Sequence, residues 1–189
     1  MRAKGPGQSA IFLLDVVDVL SKLRISYAVV GALAASFYGI VRASMDADAV
    51  ISFQGSKGNH KLLLSKLMRA GFDATWRQGG VDDPIAGVIN VEDCYHNRVD
   101  LLMGIRGMKA DVFSRTVVSS LFNSRIRIIS VEDFIAMKVF AGGHKDIEDA
   151  KGALKVSAGK IDMALLEELT LNYGKKELKV LKAILKECL

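Results

Sequence analysis

Three aspartates are the residues of this chain best suited to chemistry. Asp46 and Asp48 are separated by one residue at the predicted start of a strand, and side chains alternate along a strand, so both project from one face. Two carboxylates this close repel each other unless a cation lies between them. Asp100 stands within the apolar segment 99–103, where an unpaired carboxylate is costly. Three such groups would suit Mg²⁺, which takes oxygen ligands in phosphoryl transfer.

Each signal also has a plainer explanation. A pair of aspartates in this spacing is often solvated charge at a strand edge, and Asp100 could be satisfied by a cationic side chain or by a position at the sheet end. A glycine after a strand, such as Gly31, is common. Gly31 nevertheless precedes a predicted helix, whose first N–H groups could bind a phosphate. The conjunction of these features favours a metal and phosphate site.

The elements that must position these residues are helices and strands in mixed order over the first 129 residues. Apolar spacing predicts helices over 9–23, 32–38 and 57–70. Runs rich in β-branched residues, bounded by glycine or turn residues, predict strands over 26–30, 48–53, 72–77, 87–91, 98–103 and 125–129.

After Ser130 the pattern becomes entirely helical. Ser130 is a hydroxyl at a cap position, and Glu132 and Asp133 supply carboxylates in the first turn. Helices are predicted over 131–141, 145–154, 163–173 and 176–188. The expected fold class is therefore α/β (α+β): a mixed β-sheet core flanked by helices, residues 1–129, with a C-terminal helical bundle, residues 130–189, packed on it.

The composition is that of a globular protein. Of the 189 residues, half are apolar and a quarter are charged, which excludes a disordered or fibrous chain. No apolar run approaches the length that spans a bilayer, so no membrane partner is expected. Two isolated cysteines, Cys94 and Cys188, fit a reducing compartment and predict a cytoplasmic location. The net charge of +5 permits a polyanionic partner without requiring one.

Several segments, in order, resemble a known superfamily. Gly31-Ala32-Leu33-Ala34, then Gly39, then Arg42-Ala43-Ser44-Met45-Asp46-Ala47-Asp48 is similar to the opening motif of the minimal nucleotidyltransferases, which share the palm-like fold of DNA polymerase beta. The segments 99–102, 129–138 and 145–149 resemble later motifs of the same proteins. The likeness covers roughly residues 25–155 and is greatest to the AbiEii-type toxin nucleotidyltransferases.

This resemblance implies transfer of a nucleoside monophosphate from an NTP to an acceptor hydroxyl with two Mg²⁺ ions, or Mn²⁺ in their place. Asp46 and Asp48 would bind both ions, and Asp100 would complete one site and help to activate the acceptor. The residues implied in nucleotide binding are Gly31 and Ala32 through their backbone, Ser44, and the cations Arg42, Lys138 and Lys145. The implied partners are an NTP, an acceptor and an antitoxin protein. The acceptor could be tRNA or another RNA, a protein or a small molecule.

Two departures leave alternatives open. Ala32 stands where the family has glycine or serine, which removes any hydroxyl contact with phosphate, and Ser44 stands where threonine is usual. A catalytically degenerate nucleotide-binding or toxin–antitoxin interaction module is the alternative function. Arg42 could instead pair with one of the aspartates and hold its loop, and Lys138 and Lys145 could be solvated helix charges.

The other candidates are less specific. His60, His96 and His144 lack the spacing of zinc ligands and are expected in surface or loop positions. Trp76 and Tyr95 could stack a base, although Trp76 fits a core strand. The five lysines of 175–189 fit an amphipathic packing helix, with an RNA-facing stripe as the alternative.

Overall fold

The computed structural model describes residues 1–54 and 59–188, and these form seven strands and seven α-helices. The strands are β1 Ser26–Val30, β2 Asp46–Ser52, β3 Asp73–Gln78, β4 Ile85–Glu92, β5 Arg98–Ile105, β6 Val117–Leu121 and β7 Ser124–Ile128. The helices are α1 Ser9–Lys22, α2 Gly31–Phe37, α3 His60–Arg69, α4 Val131–Ala141, α5 His144–Val156, α6 Met163–Tyr173 and α7 Lys175–Cys188. A short 3₁₀ turn covers Ala110–Phe113.

The seven strands form one mixed sheet in the order β3-β4-β5-β2-β1-β7-β6. Strands β2 and β5 run parallel, as do β1 and β7, whereas the other neighbours are antiparallel. With helices packed around it, this sheet confirms the predicted fold class.

One face of the sheet carries the core. Ala47 and Ala49 of β2 and Val99 and Leu101 of β5 are fully or almost fully buried, and α1 contacts both strands. Because side chains alternate, the residues between them, which include Asp46, Asp48 and Asp100, lie on the opposite face and are only half-buried. This buried face fixes the two strands, and the opposite face carries the three aspartates together with the buried Val50.

The C-terminal helices pack against one another, with α4 in contact with α5, α6 and α7. The Ser130 hydroxyl accepts a hydrogen bond from the backbone N–H of Asp133, 3.1 Å away, and begins α4 as predicted. Gly142 ends that helix in the left-handed conformation, at φ 67°. The helical bundle is confirmed as part of the fold class, and the boundary after residue 129 stays a prediction.

Two strands differ from the sequence prediction. Strand β2 begins at Asp46, two residues early, because Asp46 pairs with Arg98 and Ala47 with Val99 of β5. Strand β6 was not predicted. It lies at the sheet edge, pairs only with β7, and its sequence VVSSL lacks the alternation that marks a half-buried strand.

The remaining boundaries agree within three residues, apart from the start of α3. That helix was expected from residue 57, and residues 57 and 58 lie outside the described part of the chain. Within 1–54 and 59–188, no helix is long and apolar enough to cross a membrane.

Candidate active site

The structure brings Asp46, Asp48 and Asp100 together. Asp48 lies directly beside Asp100 in the parallel pairing of β2 with β5, and Asp46 lies two residues before Asp48 on the same face. One carboxylate oxygen from each residue lies within 4.8 Å of the other two. Three oxygen ligands at this separation fit a divalent cation such as Mg²⁺ or Mn²⁺.

The electrostatics of Asp48 support that fit. Burial, together with the negative charges of Asp46 and Asp100, raises the pKa of Asp48 from 3.8 to about 6, although Lys138 and Arg42 oppose the rise. The positive charges nearby therefore do not fully compensate the cluster. A divalent cation would supply the missing charge, because it favours the ionised form of each ligand.

The other two carboxylates are oriented by neighbouring side chains. The Ser44 hydroxyl donates to Asp46 Oδ1 at 2.5 Å. Asn90 Nδ2 donates to Asp100 Oδ1 at 2.8 Å, and the Arg98 guanidinium donates Nε to Oδ1 at 3.0 Å and Nη2 to Oδ2 at 3.2 Å. These contacts fix the direction of each carboxylate.

Asn90 and Arg98 were not among the site residues predicted from the sequence. A signal for Arg98 was present, since it stands two residues before Asp100 on one strand and must share its face. Asn90 had no local signal, because it meets Asp100 only through the antiparallel register of β4 and β5.

The backbone at Gly31 lies directly against Asp48 of the aspartate cluster. It has φ +63°, and a Cβ at this position would overlap Oδ2 of Asp48. Only glycine fits this turn at no cost. The left-handed conformation falls on Gly31 rather than on Ala32, which is buried within α2. Ala32 therefore introduces no backbone strain.

Two of the predicted cations belong to a buried ion-pair network. Lys138 Nζ lies 2.7 Å from Asp146 Oδ1 and 2.8 Å from Asp149 Oδ2, and Arg42 Nη1 lies 2.6 Å from the same oxygen of Asp149. Lys138 is only 6% exposed, so its interpretation as a solvated charge is wrong. Arg42 pairs with Asp149 of α5 and not with one of the three clustered aspartates, and this ion pair links the loop before β2 to α5.

Asp149 joins the two cations of this network, and like Asp146 it was part of the segment 145–149 but was given no role from the sequence. It is 4% exposed and accepts from two cations, and burial without such partners would be costly. The segment 145–149 pointed toward this region of the structure. The role of Asp149 as the link between Arg42 and Lys138 depends on a contact between residues 107 positions apart in the chain.

Lys145 and the remaining aromatic and histidine candidates contribute less to the site. Lys145 and His144 are exposed at the start of α5, next to Asp146. His60 stacks on Trp76 with ring centroids 4.8 Å apart, and Trp76 packs against the hydrophobic core as expected. Tyr95 is exposed in the turn after β4.

A cleft of about 390 Å³ opens beside the aspartates. Gly31, Asp48, Lys138 and Asp146 form its polar part. Its remaining walls are mainly apolar, and they come from β5, from α4 and from the start of β4: Ile85, Leu102, Ile105, Met137, Phe140 and Ala141. The cleft therefore combines charged groups with a larger apolar lining.

Comparison with solved structures finds the same fold. The solution structure of the antibiotic-resistance factor ANT(2'')-Ia is 12% identical and aligns over 96% of this chain and 99% of that protein, with a TM-score of 0.59. The crystal structure of ANT(2'')-Ia in complex with adenylyl-2''-tobramycin is 12% identical and aligns over 88% and 99%, also at 0.59. An antigenic nucleotidyltransferase-like protein from Paracoccidioides brasiliensis is 16% identical over 96% and 94%, at 0.50. At these identities the similarity is one of fold.

No protein-family model and no curated protein sequence matches this chain.

Proposed function

We propose that this protein is a nucleotidyltransferase of the minimal superfamily, which transfers a nucleoside monophosphate from an NTP to the hydroxyl of an acceptor. The observation that carries the proposal is the convergence of Asp46, Asp48 and Asp100 within 4.8 Å, beside a cleft that contains Lys138. The fold shared with ANT(2'')-Ia, which has been crystallised with adenylyl-2''-tobramycin, supports the same reaction class.

The residues take the following roles in this proposal. Asp46 and Asp48 hold two divalent cations, Mg²⁺ or Mn²⁺, and Asp100 completes one of the two sites. When bound, the cations supply Lewis-acid stabilisation of the phosphate charge and lower the pKa of the acceptor hydroxyl. That oxygen bonds to the α-phosphorus, the bond to the β-phosphate oxygen breaks, pyrophosphate leaves, and the hydroxyl proton passes to Asp100 or to solvent.

The nucleotide would lie along the cleft. Lys138, supported by its buried ion pairs, suits a phosphate as a point charge. Arg42 and the exposed Lys145 add positive charge for the phosphates. Ser44 orients Asp46, and the backbone of Gly31 and Ala32 faces the triphosphate. The apolar wall formed by residues such as Leu102 and Phe140 suits the faces of a nucleobase.

The acceptor and the biological setting belong to the same proposal. A small polyhydroxylated molecule is supported by the structural likeness to ANT(2'')-Ia. An RNA acceptor such as tRNA, and an antitoxin partner, are supported by the motif resemblance to AbiEii-type toxins. The degenerate alternative depends on Ala32, but this residue keeps its backbone N–H in a helical conformation, which favours the enzyme.

The test is transfer of label from α-³²P-labelled NTPs with Mg²⁺ or Mn²⁺, in separate reactions with total RNA and with a panel of aminoglycosides. Labelled product is expected from the wild type and not from Asp46→Asn. The matched control, Asp73→Asn, removes an exposed carboxylate of β3 and should retain transfer. Nucleotide binding without transfer in every reaction would favour the degenerate module.

A further inference from the structure

Arg98 has an unusual position beside the candidate metal ligands. It stands at the start of β5 with about half of its side chain exposed, and its guanidinium forms two hydrogen bonds to Asp100. Arginine in this geometry binds both oxygens of a carboxylate. Its target is thus one of the three carboxylates assigned to the metal, although Arg98 is not itself a metal ligand.

The lone pairs of Asp100 limit what remains for a cation. An ionised carboxylate offers about two acceptor positions on each oxygen. Oδ1 accepts from both Asn90 Nδ2 and Arg98 Nε, and Oδ2 accepts from Arg98 Nη2. A cation bound at Asp100 therefore has one position on Oδ2 available, whereas a bidentate ligand would require the guanidinium to move.

The neighbouring strands give Arg98 further carboxylates to pair with. Asp46 lies beside it in the pairing with β2, and Glu92 lies opposite it in the pairing with β4. An arginine guanidinium is not deprotonated in proteins, so the positive charge of Arg98 is constant. A permanent cation thus lies among the same carboxylates that would hold the divalent ion.

We propose that Arg98 is a positioning residue that competes with the divalent cation for Asp100 and so weakens metal binding at this carboxylate. The inference depends on the proposed function for the assignment of Asp100 as a metal ligand. Glu92 lies across the strand pair from Arg98 and contacts His96 Nδ1 through Oε1, so its other carboxylate oxygen is the one that can take the guanidinium when the cation binds. The competition leaves the cation at Asp100 weakly held and rapidly exchanged.

The experiment measures binding of Mn²⁺ alone, by the loss of the free Mn²⁺ signal in electron paramagnetic resonance. Arg98→Gln is expected to bind Mn²⁺ up to about fivefold more tightly than the wild type, which is the largest gain expected from removing one competing exposed ion pair. Arg98→Lys retains the charge without the planar fork and should tighten binding less. Unchanged or weaker binding by Arg98→Gln would overturn the proposal.

Two further variants separate competition from a general charge effect. Arg125→Gln removes an equal charge from β7, which is separated from β5 by β2 and β1, and it should leave Mn²⁺ binding unchanged. In an Asp100→Asn background, Arg98→Gln should no longer tighten binding. Equal tightening by Arg125→Gln, or tightening that persists without Asp100, contradicts the role assigned to Arg98. If Arg98→Gln does not fold, Arg98→Lys decides, and weaker binding by that variant is the contrary result.

The outcome is independent of the transfer assay. If the wild type transfers label but Arg98→Gln does not tighten Mn²⁺ binding, only the role of Arg98 fails. If Arg98→Gln tightens binding through Asp100 but no acceptor is labelled, the competition is supported and the proposed function fails.

Discussion

Asp48→Asn is expected to abolish transfer and at the same time to stabilise the folded protein. Asp48 is held beside Asp46 and Asp100 within a largely buried site. Asparagine has nearly the same shape without the charge, and it therefore removes the repulsion while it removes a metal ligand. Opposite effects on activity and stability are a signature of a site arranged for function.

The magnitude follows from the pKa of Asp48. Its rise from 3.8 to about 6 means that the folded state disfavours the ionised form by about 3 kcal/mol at neutral pH, at about 1.4 kcal/mol per pH unit. Asp48→Asn should recover most of this. For a chain of this size, a gain of about 3 kcal/mol raises the unfolding temperature by about 6–12 °C.

The effect has a defined pH window. Because the folded pKa is raised, the contribution of Asp48 to stability is fully present below pH 3.8 and is lost as the pH rises through about 6. The variant and the wild type should therefore be equally stable near pH 4, and the difference should be complete above about pH 7.

The assay is urea unfolding at pH 4, 6 and 8 in the presence of EDTA, with Asp73→Asn as the control for loss of an exposed carboxylate. In a parallel series with Mn²⁺ in place of EDTA, the metal should stabilise the wild type at pH 8 and have a much smaller effect on Asp48→Asn, since the ligand set is then incomplete. If Asp48→Asn is no more stable than the wild type at pH 8, the assigned cost of burying the Asp48 charge beside two other carboxylates is refuted.

Two other substitutions test the elements around the cluster. Gly31→Ala should destabilise the fold by about 2 kcal/mol or more, because it combines a left-handed conformation with overlap onto Asp48. The control Gly71→Ala, at φ +87° in open space, should cost only about 1 kcal/mol. Equal losses of stability in urea unfolding would contradict the overlap at Gly31. Asp149→Asn should cost about 3 kcal/mol, because it leaves Lys138 and Arg42 without a shared buried carboxylate, and should raise the KM for NTP; an unchanged KM would remove this network from nucleotide binding.

Local pattern predicted most of the elements of this protein correctly. The bounds of β1, α4 and α6 agree with the sequence prediction to the residue, because apolar periodicity, a capping hydroxyl and terminal glycines are all local signals. Edge strand β6 was not predicted, because a strand with one neighbouring strand need not alternate apolar and polar side chains. Its stability comes from pairing with β7, which no local pattern records.

The same division holds for the site. The period of a strand places Asp46 and Asp48 on one face whatever the rest of the fold does, and the cost of burying Asp100 indicated that it needed a partner. The meeting of Asp100 with Asp48 depends on the parallel register of β2 with β5. This register joins two residues that are 52 positions apart in the chain. Such a register is decided by the packing of β2 and β5 against α1, because a shift of one residue would turn the buried side chains of a strand to the other face.

The sequence by itself therefore determined which residue types could do chemistry and which faces they occupy. Only the tertiary structure decided their distant partners: Asn90 at Asp100, and Asp149 between Arg42 and Lys138. The physical reason is range. Periodicity and capping act over a few residues, whereas the pairing of buried charges depends on which distant elements the hydrophobic core brings into contact.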